Sequence, residues 1–74
     1  MSLLRRVERN RLPRLGEQVK IFQDERMIAH GIVIVANHRS VTVVGKELID
    51  LDTESLRRGI NDGSIRIERE NVAR

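Results

Sequence analysis

The chain has 74 residues, a formal net charge of +3, no cysteine and one aromatic residue, Phe22. A chain of this length makes one small domain that buries only about 60% of its unfolded surface, which leaves little room for a deep catalytic cleft. The absence of cysteine excludes disulfides and thiolate chemistry, and a single aromatic residue offers no stacking platform for single-stranded nucleic acid.

The excess positive charge lies at the N-terminus. Residues 1–15 have a net charge of +4 and residues 16–74 a net charge of −1. The cations of this basic arm are Arg5, Arg6, Arg9, Arg11 and Arg14. Two interpretations stand side by side. In one, the arm neutralises the phosphates of a polyanion. In the other, Ser2 caps a solubilising helix. Three apolar residues of that helix would pack on the domain: Leu3, Leu4 and Val7.

Three strands are predicted in immediate succession after the arm. The first covers about residues 17–22, where Val19 and Ile21 alternate with polar residues and point inward. The second covers about residues 28–36, after a charged turn, and the third about residues 40–45. The second strand is apolar on both faces, which a half-exposed antiparallel strand does not require. Its second face is therefore covered by the arm, by a sharply coiled barrel or by another molecule.

A short helix is predicted after the fourth strand. Asp52 or Thr53 is a suitable N-cap, and the helix is expected to continue through about Arg58. Gly59 then suits the left-handed conformation at which helices commonly end.

The remaining elements complete the order of a small barrel. The fourth strand covers residues 48–51, and a turn at residues 61–63 precedes a fifth strand at about residues 64–68. The predicted fold class is mainly β: a five-stranded SH3-like barrel at residues 16–70 with a short helix before its last strand. The basic arm precedes the barrel, and a frayed tail at residues 71–74 follows it.

The first three strands carry a recognisable pattern of glycines and branched apolar residues. Its members are Gly16, Glu17, Val19, Ile21, Gly31, Val33, Val41 and Val43. Over about residues 16–45 this pattern resembles the KOW motif of certain ribosomal proteins and of transcription elongation and antitermination factors. The resemblance implies a module that works on RNA polymerase or the ribosome. The chain departs from the motif at residues 23–29, where the family usually has lysines and glycines that contact RNA.

Two further sets of residues are candidates for binding. Apolar residues opposite the expected core would mark a surface for a protein partner: Ile32 or Ile34, Val44 and Leu48. If the second strand has a partner-facing side, we expect Ile32 and Ile34 on different faces, so that a charged residue at one position unfolds the domain and at the other only blocks binding. Basic residues on or near the loops form a secondary patch for nucleic acid or an acidic partner: Lys20, Arg26, Arg39 and Lys46.

Catalysis and membrane insertion have little support in the sequence. His30 and His38 lack the further ligands that a zinc site needs, and no phosphate-binding glycine loop or nucleophile motif occurs. The longest apolar stretch, residues 32–36, is far below the roughly 20 residues of a membrane span. We therefore expect a cytoplasmic protein that is not an enzyme and has no cofactor or metal.

The sequence predicts a binding module of gene expression, a small transcription or translation regulator. Its barrel would dock on RNA polymerase or the ribosome, and its basic arm would contact RNA, DNA or an acidic protein. The alternative is a pure protein-interaction or assembly module that forms homo-oligomers or accepts an added strand, without nucleic-acid binding. The oligomeric state stays open at this point.

Overall fold

The computed structural model describes residues 11–70, which form five antiparallel strands and one helix. The elements are β1 (Gln18–Gln23), β2 (Arg26–Ala36), β3 (Ser40–Val44), β4 (Leu48–Asp52), α1 (Thr53–Asp62) and β5 (Ile65–Arg69). The predicted fold class, mainly β with a short helix before the last strand, is confirmed.

The strands form one sheet in the order β4-β3-β2-β1-β5, with each strand antiparallel to its neighbours. Strands β4 and β5 are the two edges of this sheet, and α1 connects them and packs against both. The described residues therefore form an open sheet, and closure into a barrel by strand pairing is not observed.

The core lies between one face of the sheet and α1. Its buried apolar residues alternate along the strands with outward-facing residues. Val19 and Ile21 of β1 point inward, as predicted. The buried apolar residues of the core are Val19, Ile21, Ala29, Val33, Val41, Val43 and Leu56. Each of these side chains except Ala29 contributes roughly 1.5–3 kcal/mol when it is removed from water, so this small set carries much of the stability of the domain.

The turn between β1 and β2 is shorter than the sequence indicated. Asp24 and Glu25 have φ angles of 50° and 70°, so both adopt the left-handed conformation of a two-residue hairpin turn. Gln23 pairs directly with Arg26. As a result β2 begins at Arg26, two residues before the predicted start at position 28.

Helix α1 begins where predicted and ends later. The Asp52 side chain caps its first turn, and the helix continues to Asp62. The left-handed cap is Gly63, with φ 88°, and the prediction that the helix ends at Gly59 is wrong. A Cβ atom at Gly59 would lie 2.5 Å from the Ile65 side chain. The absence of a side chain at this position thus allows α1 to pack closely on β5.

A second close approach joins β2 to the end of β3. Gly31 has a φ angle of +153°, and a Cβ atom there would lie 2.0 Å from the carbonyl oxygen of Val44. On the other side of this contact, a Cβ atom at Gly45 would lie 2.1 Å from the carbonyl oxygen of His30. The two backbones meet without intervening side chains, and this contact fixes the register in which Ile32 lies opposite Val44.

Alanine at Gly31 should therefore destabilise the domain far more than alanine at Gly63. Both glycines have positive φ, but a Cβ atom at Gly63 would meet nothing within 4 Å. We expect Gly63→Ala to lower the free energy of unfolding by about 1 kcal/mol, and Gly31→Ala to lower it by at least about 2 kcal/mol more, because backbone atoms must move. Urea unfolding followed by far-UV circular dichroism measures both. Equal losses at the two positions would contradict the close approach.

Candidate functional site

An apolar row crosses three strands on the face of the sheet that points away from the core. Ile32 of β2 lies opposite Val44 of β3, which in turn lies opposite Leu48 of β4. Ile32 is 46% exposed and Leu48 63% exposed. Ile34, also 46% exposed, lies two residues further along β2. We call these four residues the outer apolar patch; the structure brings together all the members of the predicted protein-partner surface.

The expectation that Ile32 and Ile34 point to different faces is wrong. The residue between them, Val33, is 1% exposed in the core, and Ile34 points outward like Ile32 even though the β2–β3 register shifts between Val33 and Val35. Both isoleucines meet solvent to the same extent. A charged side chain at either position therefore stays in water, and neither substitution is expected to unfold the domain.

Charged side chains occupy the β1–β5 side of the same outer face. The Nζ atom of Lys20 lies 3.6 Å from the carboxylate of Glu70. Arg66 pairs with Glu68 and lies over the ring of Phe22, 4.4 Å from its centroid. The outer apolar patch is thus confined to β2, β3 and β4 and is bordered by paired charges.

The four residues of the predicted secondary basic patch do not lie together. Lys20 belongs to the outer face, where it is paired. Arg26 and Lys46 belong to the end of the sheet formed by the β1–β2 and β3–β4 turns, whereas Arg39 belongs to the β2–β3 turn at the opposite end. We call this opposite end, which also contains residues 11–15 and the start of α1, the basic end.

A groove of about 370 Å³ opens at the basic end. Its walls come from residues 12–15, from the β2–β3 turn and from the first turns of α1. The polar and cationic residues that line it are Arg14, Asn37, His38, Thr53 and Arg57. The other lining residues are apolar: Leu12, Pro13, Leu15, Ala36 and Val41. None of the described lining residues is acidic, so the groove combines apolar walls with two arginines.

The carboxylate of Glu17 fastens residues 11–14 to the last strand. Its Oε1 atom accepts a hydrogen bond from the backbone N–H of Arg14 at 2.8 Å, and its Oε2 atom accepts one from Nε of Arg69 at 3.3 Å. Nη2 of Arg11 lies 3.5 Å from the same Oε2 atom. Nη2 of Arg69 also donates to the carbonyl oxygens of Arg11 and Leu12, at 2.6 and 3.1 Å.

This network sets the ionisation of Glu17. Partial burial acts to raise the pKa of the carboxyl group, but the hydrogen bond from the Arg14 backbone and the positive charges of Arg69 and Arg11 together act more strongly. The pKa of Glu17 is therefore lowered from its ordinary value, and the group is a carboxylate at neutral pH.

The arginines at and near the basic end differ in whether they have a carboxylate partner. Arg58 pairs with Glu54 at 3.9 Å, and Arg11 shares the carboxylate of Glu17. Within residues 11–70, by contrast, no carboxylate lies within ion-pair distance of the guanidinium groups of Arg14, Arg39 and Arg57. Within the described residues the basic end thus contains paired and unpaired cations, and the unpaired ones keep their donors for other ligands.

Arg57 is the residue of this end that the sequence did not single out. A helix that stopped near Arg58, as predicted, would place Arg57 at its C-terminus. Because α1 continues to Asp62, Arg57 lies instead near its middle, one turn after Thr53, and both residues line the groove. The spacing of four residues between them was the available signal, since such residues share a helix face.

His30 and Asp50 each have a partner in the structure. Nε2 of His30 lies 3.7 Å from the Glu70 carboxylate, and Asp50 accepts a hydrogen bond from the Thr42 hydroxyl at 2.5 Å. Among the residues that the structure describes, no group of three or more potential metal ligands lies together. The described part of the chain also contains no helix of the length and apolar character needed to cross a membrane.

Several predicted features lie outside the described residues. They are the arm residues Arg5, Arg6 and Arg9, the helix capped by Ser2, and the tail at residues 71–74. Of the predicted arm, residues 11–15 are described, and Leu12 packs against the core. Comparisons of this chain with protein-family models, curated proteins and solved structures found no match.

Substitution of Glu17 should have a pH-dependent effect on stability. We expect Glu17→Gln to lower the free energy of unfolding at neutral pH by about 1–2 kcal/mol, because charged hydrogen bonds are lost. The folded-state pKa lies below the ordinary value of 4.5, so the advantage of the wild-type protein is complete above that value. It disappears as the pH falls through the lower folded-state pKa.

Urea unfolding at neutral and acid pH measures this difference. The matched control is Glu54→Gln, since Glu54 is 71% exposed and its pair with Arg58 should contribute less than about 1 kcal/mol. A loss at Glu17 that stayed constant across the acid range would show that the carboxylate does not act through its charge.

Proposed function

We propose that this protein is a non-enzymatic binding module of gene expression that acts in the cytoplasm. The outer apolar patch docks on a protein of the transcription or translation machinery, such as an RNA polymerase subunit or a ribosomal protein. The observation that carries this proposal is the row of exposed branched residues that three strands hold in register: Ile32, Val44 and Leu48.

The physical character of the patch favours a protein partner. Apolar side chains on a sheet are already ordered before binding, so little conformational entropy is lost when a partner covers them. Removal of their surface from water contributes about 25 cal/mol per Å². The surrounding charges, among them Lys20, His30 and Asp50, give the polar rim that surrounds the apolar centre of many interfaces.

The choice of gene expression rests on the resemblance to the KOW motif and on the basic arm. Proteins with that motif work on RNA polymerase or the ribosome, and both machines present nucleic acid beside protein. The arm's net charge of +4 suits a contact with that nucleic acid while the patch holds the protein.

The open sheet favours an assembly module as the second candidate. Among residues 11–70, strand β4 is an edge with no partner on its outer side, and its first residue, Leu48, belongs to the outer apolar patch. A second copy of the chain, or an extended segment of another protein, that paired with β4 would cover part of the patch at the same time.

A charged residue in the outer apolar patch should abolish docking without unfolding the domain. We expect Ile32→Glu to lose the partner, because a carboxylate at the centre of an apolar interface is desolvated without a counter-charge. The matched control is Met27→Glu, also on β2 and 50% exposed, but outside the patch. The measurement is a pull-down with the tagged full chain from nuclease-treated cell extract, with captured proteins identified by mass spectrometry.

The outcomes separate the two candidates. Capture of polymerase or ribosomal components by the wild type and by Met27→Glu, but not by Ile32→Glu, is the expected result. Size-exclusion chromatography with light scattering reports the assembly state of the same three proteins. A wild-type oligomer that Ile32→Glu converts to a monomer would favour the assembly module. Equal capture by all three proteins would contradict a docking role for the patch.

The arm can be tested independently of the patch. Replacement of Arg5, Arg6 and Arg9 by alanine should weaken binding to a labelled DNA duplex and reduce the slope of log K against log salt by up to about 3. The free energy of unfolding should change by less than about 1 kcal/mol, as for most surface substitutions. Unchanged binding at low salt would refute the arm's role, and a loss of several kcal/mol would instead assign it a structural role.

A further inference from the structure

We propose that the groove at the basic end binds phosphate groups of a nucleic-acid backbone, with Arg14 and Arg57 as its main ligands. The inference rests on the proposed nucleic-acid contact of the arm and extends that contact onto the folded domain. The groove's volume of about 370 Å³ is at the lower end of the range for ligand sites, which is roughly 300–1,000 Å³.

The charge distribution points to an external anion. Arg57 and its neighbour Arg58 are both exposed on α1, but only Arg58 has a carboxylate partner among the described residues, Glu54. The guanidinium group of Arg14 likewise has no carboxylate within ion-pair distance in that part of the chain, although its backbone N–H donates to Glu17. Guanidinium groups bind phosphate oxygens through paired donors, and an anion in the groove would meet both groups without displacing an internal ion pair.

The walls of the groove are held in place before any ligand binds. Glu17 fixes the backbone of Arg14 by a 2.8 Å hydrogen bond. Thr53 joins the opposite wall to the β2–β3 turn: its N–H donates to the carbonyl oxygen of Arg39 and its hydroxyl to that of Asn37, at 3.2 and 2.7 Å. Since Thr53 is only 2% exposed, this connection is shielded from water. Ordered walls reduce the entropy lost on binding.

A nucleic-acid backbone matches the arrangement better than a single anion. In the sequence the cations of the arm continue through Arg11 to Arg14, which lines the groove, and a strand of DNA presents one phosphate about every 3.4 Å along its length. The aromatic residue Phe22 lies on the outer face beneath Arg66, away from the groove. Binding at the basic end would therefore use phosphates, not stacked bases, and would show little dependence on nucleotide sequence.

The test compares two double variants of the full chain. Arg14→Ala with Arg57→Ala removes the proposed ligands. Arg58→Ala with Arg66→Ala removes the same amount of charge from exposed arginines that already have carboxylate partners. The probes are a fluorescein-labelled 20-base-pair DNA duplex and a 20-nucleotide oligothymidylate, with binding measured by fluorescence anisotropy at several salt concentrations. Circular dichroism checks that each variant is folded. A single variant, Arg57→Ala, removes only one of the two proposed ligands.

We expect the groove variant to bind on the order of tenfold more weakly at low salt and to lose about 1.4–1.8 from the salt slope, which is two phosphate contacts. Arg57→Ala alone should lose about half of that slope. The paired-arginine variant should retain the wild-type slope. Equal losses in the two double variants would overturn the inference, because the effect would then be one of general charge.

Three further measurements identify the ligand and separate this inference from the proposed role of the basic arm. Tight binding to a peptide nucleic acid of the same sequence, whose backbone is uncharged, would overturn phosphate recognition. If polyglutamate competed as well as DNA for the groove, the inferred ligand would be an acidic protein and not nucleic acid. Weakened binding in the variant at Arg5, Arg6 and Arg9, with unchanged binding in the groove variant, would overturn the groove alone. Failure of the wild type to bind either probe would overturn both the groove's role and the arm's role in nucleic-acid binding.

Discussion

The carboxylate of Glu17 is the group on which the candidate surfaces at the basic end depend. Its contact with Arg69 joins residues that are 52 positions apart in the sequence, and Arg69 in turn holds the carbonyl oxygens of Arg11 and Leu12. The segment before β1 is thereby held across the end of the sheet, where Leu12 reaches the core. The position of residues 11–14, of which residues 12–14 form part of one wall of the groove, follows from this attachment.

A second constraint, at Gly31, assembles the outer apolar patch. The direct approach of the Gly31 backbone to the Val44 carbonyl sets the register between β2 and β3. With a slip of one residue, every side chain of the strand would change face, and Ile32 would point into the core while Val33 met water. A residue without a side chain thus decides where the exposed isoleucines lie, although it does not belong to the surface that they form.

Local signals were predictable from the sequence, and tertiary ones were not. The alternation around Val19 and the cap at Asp52 act within a few residues, so pattern and chemistry indicated them correctly. Gly59 was misread because the reason for a glycine there is the side chain of Ile65 on another element. Because of that error the predicted helix was too short, and Arg57 was not recognised as a residue that lines the groove. The opposite faces expected for Ile32 and Ile34 were an error in applying the strand period, which needed no structure to avoid.

The two proposed surfaces differ in position and in physical character. The outer apolar patch lies on the exposed face of β2, β3 and β4, whereas the groove lies at the basic end between residues 12–15 and α1. A partner on one surface need not displace a partner on the other. Salt weakens phosphate contacts steeply, whereas apolar contacts hold or strengthen. In the proposed function, the protein contact would therefore hold the module on its host while the nucleic-acid contact forms and breaks with local ionic conditions.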